Sequence, residues 1–105
     1  MAHEQDDAVW LHAGRRVTLV ELAECCGLHE DVLRELVDYG ALAPADPAAS
    51  VLAFNARCVA TVRTAVRLSN DLELETRALA LVVSFLERID DLEEHVRELS
   101  AKLPR

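Results

Sequence analysis

The chain has 105 residues, enough for one domain with a single modest core and too few for two. Hydrophobic residues make up 51% of it, which excludes a disordered chain, but only 4% are aromatic, so the core has to be built from Leu, Val and Ala. Nineteen acidic against eleven basic side chains leave a net charge of −8, which phosphates would repel and a basic protein would attract.

Residues 1–16 read as an N-terminal leader, with a short strand expected at Val9–Leu11. Met1 to Trp10 carries Glu4, Asp6 and Asp7 and no apolar run, so no signal peptide is expected. No stretch approaches the ~20 apolar residues that cross a bilayer, so no membrane is expected among the partners. Three cysteines, an odd number without a secretory signal, read as reduced thiols in a cytoplasmic protein.

Sharper signals begin at Val17, and residues 17–75 read as a winged helix-turn-helix domain. Thr18 and Glu21 have the spacing of a capping box, and Val17 and Leu22 flank it as a hydrophobic staple. The helix that follows places Leu19, Leu22, Ala23 and Cys26 on one face and stops at Gly27. A second helix begins near His29, carries the stripe Val32, Leu33, Leu36 and Val37, and ends at Gly40. Two short helices joined by a glycine turn are the elements of a helix-turn-helix. Ala41–Ala43 and Val51–Phe54, around a loop with prolines at 44 and 47, read as a small β-hairpin, the wing, although alanines are weak strand formers. Asn55 is placed to cap a third helix with Val59, Val62 and Val66 on one side, running to about Ser69.

After a break around Asn70–Leu74 the chain is expected to be helical from about Thr76 to Lys102, with residues 76–105 as a separate C-terminal element. Val82, Phe85, Ile89, Leu92, Val96, Leu99 and Leu103 recur at spacings of three and four. That is a heptad seam, which predicts a dimer interface. Glu73–Arg77, Glu93–Arg97 and Glu98–Lys102 are favourable i,i+4 pairs on the outer faces. The fold class expected is therefore mostly α: a winged helix-turn-helix with a small hairpin wing and a long dimerisation helix.

No active site is visible, and no enzyme, cofactor or metal is expected. Cys25, Cys26 and His29 could begin a metal site, but Cys26 lies on the core face and no C-x-x-C accompanies it, so buried structural thiols are the stronger reading. Asp90 and Asp91 are adjacent on a helix and point about 100° apart, which prevents joint acid–base work. Gly14, Gly27 and Gly40 are isolated and cradle no phosphate. A DNA-reading second helix would carry Arg, Lys, Asn or Gln toward bases and phosphates. Here it offers Glu30, Asp31, Glu35 and Asp38, with Arg34 as the one base, while Glu21 and Glu24 add charge on the first helix. That surface cannot supply the phosphate contacts a DNA reader needs, so DNA is disfavoured as a partner.

With these residues in place, the chain resembles the MerR-like helix-turn-helix group and, within it, the CbpM family of chaperone modulators. The resemblance rests on T-x-x-E-L-A from Thr18 to Ala23, Gly27, the L-R-E-L-V-x-x-G-x-L-x-P run from Leu33 to Pro44, the Phe54–Asn55 step, and A-V-R-L-x-x-D-L from Ala65 to Leu72. It covers residues 17–103, with Leu52 where Trp is expected in the wing and Asn55 in place of an acidic cap. The resemblance implies a protein that binds the J-domain of a DnaJ-like co-chaperone of the CbpA type and restrains it. Under it, the partner-binding residues would be Glu21, Glu24, Glu30, Asp31, Arg34, Glu35 and Asp38. The alternative it carries is a MerR-like DNA-binding transcription regulator. It also implies an antiparallel dimer, whereas the flanking charges favour a parallel one: Arg88, His95 and Lys102 share one edge, and parallel pairing sets Arg88 near Glu93. A homodimer is expected with its orientation open.

Overall fold

The computed structural model describes residues 15–104. Their order is β1 (Arg16–Thr18), α1 (Leu19–Cys26), α2 (Glu30–Asp38), β2 (Ala53–Asn55), α3 (Cys58–Leu72) and α4 (Thr76–Lys102). The strand expected at Val9–Leu11 lies outside the described residues.

Local hydrogen bonds decide where the first helices start and stop. The Thr18 N–H donates to Glu21 Oε1 at 2.8 Å and the Glu21 N–H donates to Thr18 Oγ1 at 3.1 Å, which closes the capping box at the head of α1. Val17 and Leu22, the staple pair, are fully buried. Gly27 ends α1 with φ +69°, and the Leu28 N–H reaches back to the Ala23 carbonyl at 3.1 Å. His29 caps α2, its Nδ1 accepting from the Asp31 N–H at 3.2 Å. Gly40, at φ +80°, turns the chain after α2, so that the Ala41 N–H donates to the Leu36 carbonyl at 2.9 Å.

That last closure explains a difference from the expected wing. The sheet is two-stranded and antiparallel, but the strand opposite β2 is β1, in the register Arg16 to Asn55, Val17 to Phe54 and Thr18 to Ala53. Ala41–Ala43 is not a strand, because the amides of Ala41 and Leu42 both turn back to Leu36 and are unavailable for a ladder. The wing is instead a loop, pinned where the Ala45 N–H donates to the Ala53 carbonyl at 2.8 Å and where the Leu19 N–H donates to the Leu52 carbonyl at 3.0 Å.

Helix α3 also departs in detail at both ends. Its N-cap is Arg57, with no side-chain cap, while Asn55 Oδ1 accepts from the Arg57 N–H at 2.9 Å and so shapes the turn before the helix. It runs to Leu72, three residues past Ser69, and ends on Glu73 in the left-handed region at φ 54°. Arg97 pairs with Glu94 at 2.7 Å, not with Glu93, and Glu94 also reaches Arg57 at 3.6 Å, tying α4 to the start of α3.

The core gathers Val17, Leu22, Leu33, Leu36, Phe54, Val59 and Val62 from β1, α1, α2, β2 and α3. Leu79, Ala80 and Val83 from the first turns of α4 complete it. Phe54 is the largest fully buried side chain and sits where the strand pair meets the helices. The beginning of α4 is thus part of the core; the ~40 Å helix stays beside the domain through Leu86 and as far as Glu94, while its other face is left to solvent.

Candidate functional site

Two surfaces stand out among the described residues once the core is accounted for. The first is the outer side of the helix-turn-helix. Glu21, Glu24, Asp31, Arg34, Glu35 and Asp38 are exposed and Glu30 is half-buried. Their availability differs. One oxygen of Glu21 is taken up by the capping box. Arg34 Nη2 stands 3.8 Å from Glu30 Oε1, so the one Lys or Arg of α1 and α2 is partly neutralised by its own helix. Both partners of that pair are solvated, and it adds little to stability. Asp31 Oδ2 lies 3.5 Å from the His29 ring nitrogen. Glu24, Glu35 and Asp38 are left as carboxylates facing water, so the face presents fixed negative charge to anything that approaches.

Two shallow depressions cross this face. One, of about 200 Å³, lies between the start of α1, the first turns of α2 and the end of the wing; Val20, Glu30, Arg34, Val51 and Leu52 are among its walls. The other, of about 230 Å³, lies between α1 and the head of α2, against Val20, Ala23, Glu24, Leu28 and Glu30. The fold therefore brings Glu24, Glu30 and Arg34 together around these hollows, and leaves Glu21, Asp31, Glu35 and Asp38 outside them. The sequence reading did not single out Val20 or Val51. Val20 is the one valine of α1 off the core stripe of Leu19, Leu22, Ala23 and Cys26, and that mismatch was the available signal.

The second surface is the α4 seam. Phe85, Ile89, Leu92, Val96, Leu99 and Leu103 are 50–70% exposed, whereas Val82 is half-buried against the core. At about 100° per residue, the seam lies roughly 170° around the helix from Leu79, Ala80 and Val83. It does not fold back on its own domain beyond Val82. Leu81, which the heptad reading leaves out, extends the stripe by one turn and is 56% exposed.

The remaining chemistry is quiet. Cys25, Cys26 and Cys58 are free thiols. Burial pushes the Cys26 and Cys58 thiols up to about 12, which keeps them protonated and unreactive. No group of three His, Cys, Asp or Glu among the described residues is arranged to hold a metal ion. Glu87, Asp90 and Asp91 line a groove beside Ala41–Ala43 and the start of α3. Burial, and then the neighbouring Asp90 and Asp91, raise the Glu87 carboxyl above its ordinary range. No helix among the described residues is long and apolar enough to cross a membrane.

A helix-turn-helix with a short antiparallel strand pair, a pinned wing loop and a long trailing helix defines a regulator-type scaffold whose usual groove-facing helix here is acidic. The pattern of the "MerR HTH family regulatory protein" group matches residues 17–101. The chain is also 30% identical to the chaperone modulatory protein CbpM of Salmonella arizonae over 84% of its own length and 87% of the relative's. Proteins of the same name from Citrobacter koseri and Escherichia coli O1:K1 are 28% and 27% identical over the same shares. The chain belongs to the MerR HTH family of regulatory proteins and, within it, to the CbpM chaperone modulatory group.

Proposed function

We propose that the chain is a non-catalytic modulator that docks on the J-domain of a DnaJ-like co-chaperone, using the acidic face of α1 and α2, and that it works as a homodimer joined along α4. The observation that carries the docking reading is the charge of the exposed helix-turn-helix face. Six carboxylates (Glu21, Glu24, Glu30, Asp31, Glu35 and Asp38) stand against Arg34, which is already paired with Glu30. A basic helix is the complementary partner for such a face, and a phosphate backbone is not. The names of the relatives support a chaperone-directed role. The uncovered seam of α4 supports the dimer. Six of its side chains are 50–70% exposed in one continuous stripe, an apolar face that a second copy of the same helix would cover.

The docking reading is tested by association kinetics with the purified J-domain of a DnaJ-like protein from the same organism. Charge steering predicts an association rate that falls as salt rises. Reversing Glu30, Asp31, Glu35 and Asp38 to Lys should weaken binding strongly without unfolding the chain, while reversing Glu87, Asp90 and Asp91 serves as the control. If the α4 set abolishes binding and the helix-turn-helix set does not, the docking surface is misplaced. If neither matters, or no J-domain binds, the modulator reading fails. A gel shift at low salt checks the DNA-binding alternative directly.

A further inference from the structure

Charge alone does not describe the helix-turn-helix face. At its centre stands a side chain with no place there on electrostatic grounds: Val20, in the first turn of α1, is 48% exposed among carboxylates. It forms part of the wall of both depressions, with Glu30 as the other shared residue. Across the hollow nearer the wing stands Val51 at the end of the wing, 65% exposed. The wing is held in that position by the bond from the Leu19 N–H to the Leu52 carbonyl, so the apolar walls on α1 and on the wing are fixed relative to each other. Apolar walls set in an otherwise acidic face suit one kind of partner, in which leucine-sized side chains and Lys or Arg alternate on the same helical face.

Resting on the docking reading above, we propose that Val20 is the apolar anchor of the docking surface. The two hollows it separates take neighbouring apolar side chains from one face of a basic amphipathic helix. Side chains three or four apart on a helix are ~5–6 Å apart at Cβ, so two of them can straddle one intervening side chain. Buried apolar anchors hold a complex together once formed, while the charged rim speeds encounter. Val20 therefore governs the dissociation rate, and the carboxylates govern association.

The substitution Val20→Asp separates this from docking by charge alone, because the two ideas predict opposite signs. Asp is well tolerated at the second position of a helix, where the dipole favours a negative charge, and Val20 is not a core residue, so the variant keeps its fold. It also makes the face more acidic. Docking by charge alone predicts binding that is unchanged or tighter. An apolar anchor predicts an affinity at least tenfold weaker, lost in the dissociation rate, at both 50 and 300 mM salt. The first arm measures full-length wild type and Val20→Asp against the purified J-domain of the co-chaperone.

A second arm uses two synthetic helices of equal charge, one of Lys and Leu and one of Lys and Ala, both good helix formers. Wild type should prefer the Leu peptide at least tenfold, and Val20→Asp should erase that preference. The same pair is compared in the Leu92→Asp background, which disables the α4 seam as a rival site for leucine. Affinity for the J-domain retained or raised in Val20→Asp overturns the anchor while leaving the docking reading intact. If wild type binds no J-domain, the docking reading falls and the peptide arm decides the anchor: a leucine preference that survives Val20→Asp overturns it.

Discussion

Replacing Leu92 by Asp puts a charge in the middle of the α4 seam, and the size of the effect follows from where that residue sits. In a single chain Leu92 is 53% exposed and opposite the core, so the substitution costs the isolated protomer little. In a symmetric dimer each change occurs twice. Losing two half-covered leucines removes about 1.5–3 kcal/mol apiece at most, and two carboxylates must then leave water beside apolar neighbours. Together these exceed ~5 kcal/mol, and at 1.4 kcal/mol per decade the dissociation constant rises by at least ~3 decades. A micromolar dimer becomes a monomer at any practical concentration. Light scattering at ~50 µM should give twice the chain mass for wild type and the single-chain mass of 11.6 kDa for Leu92→Asp. Glu98→Ala, on the far side of the same helix, should remain dimeric. The far-ultraviolet dichroism of Leu92→Asp should stay helical, because Leu79, Ala80 and Val83 still hold α4 to the core. A monomeric wild type at that concentration, or a dimeric Leu92→Asp, refutes the reasoning.

The glycine stop of α1 and its counterpart after α3 should respond in opposite directions. Gly27→Ala meets no neighbour within 4 Å but forces a side chain to φ +69°, and urea unfolding should show a loss of about 1 kcal/mol with an unchanged slope. Glu73→Gly relieves the same strain at φ 54° and should gain a few tenths to ~1 kcal/mol in that assay. Glu87 has a raised carboxyl pKa in the fold, so it favours folding only when protonated and weighs against the fold at neutral pH. Glu87→Gln should therefore melt higher than wild type at pH 7, and the gap should close as the pH falls into the ordinary carboxylate range. With their thiols held near 12, Cys26 and Cys58 should resist alkylation in native protein at pH 8 and react once it is unfolded in denaturant. Rapid native labelling of either one would contradict their burial.

Much of the framework is local, and what is local is readable from the chain alone. The capping box joins Thr18 to Glu21, the turn at Gly27 closes on Ala23, and the turn at Gly40 closes on Leu36, so each involves residues only three to five apart. The heptad period of α4 and the acidity of α2 are likewise properties of adjacent residues. Tertiary structure decided what those signals could not. The partner of β2 lies on the far side of two helices, at Arg16–Thr18, and no period in the sequence distinguishes that strand from Ala41–Ala43. Periodicity also shows that a helix has an apolar face without saying which way it points. Only the packing of Leu79, Ala80 and Val83 turns the seam outward. The same holds for Val20: its sequence neighbours place it on a helix, but only the return of the wing beside α1 sets it between two hollows on an acidic face. Backbone hydrogen bonds within a turn are determined by the residues that make them, whereas burial and exposure are determined by which distant segment comes to lie alongside.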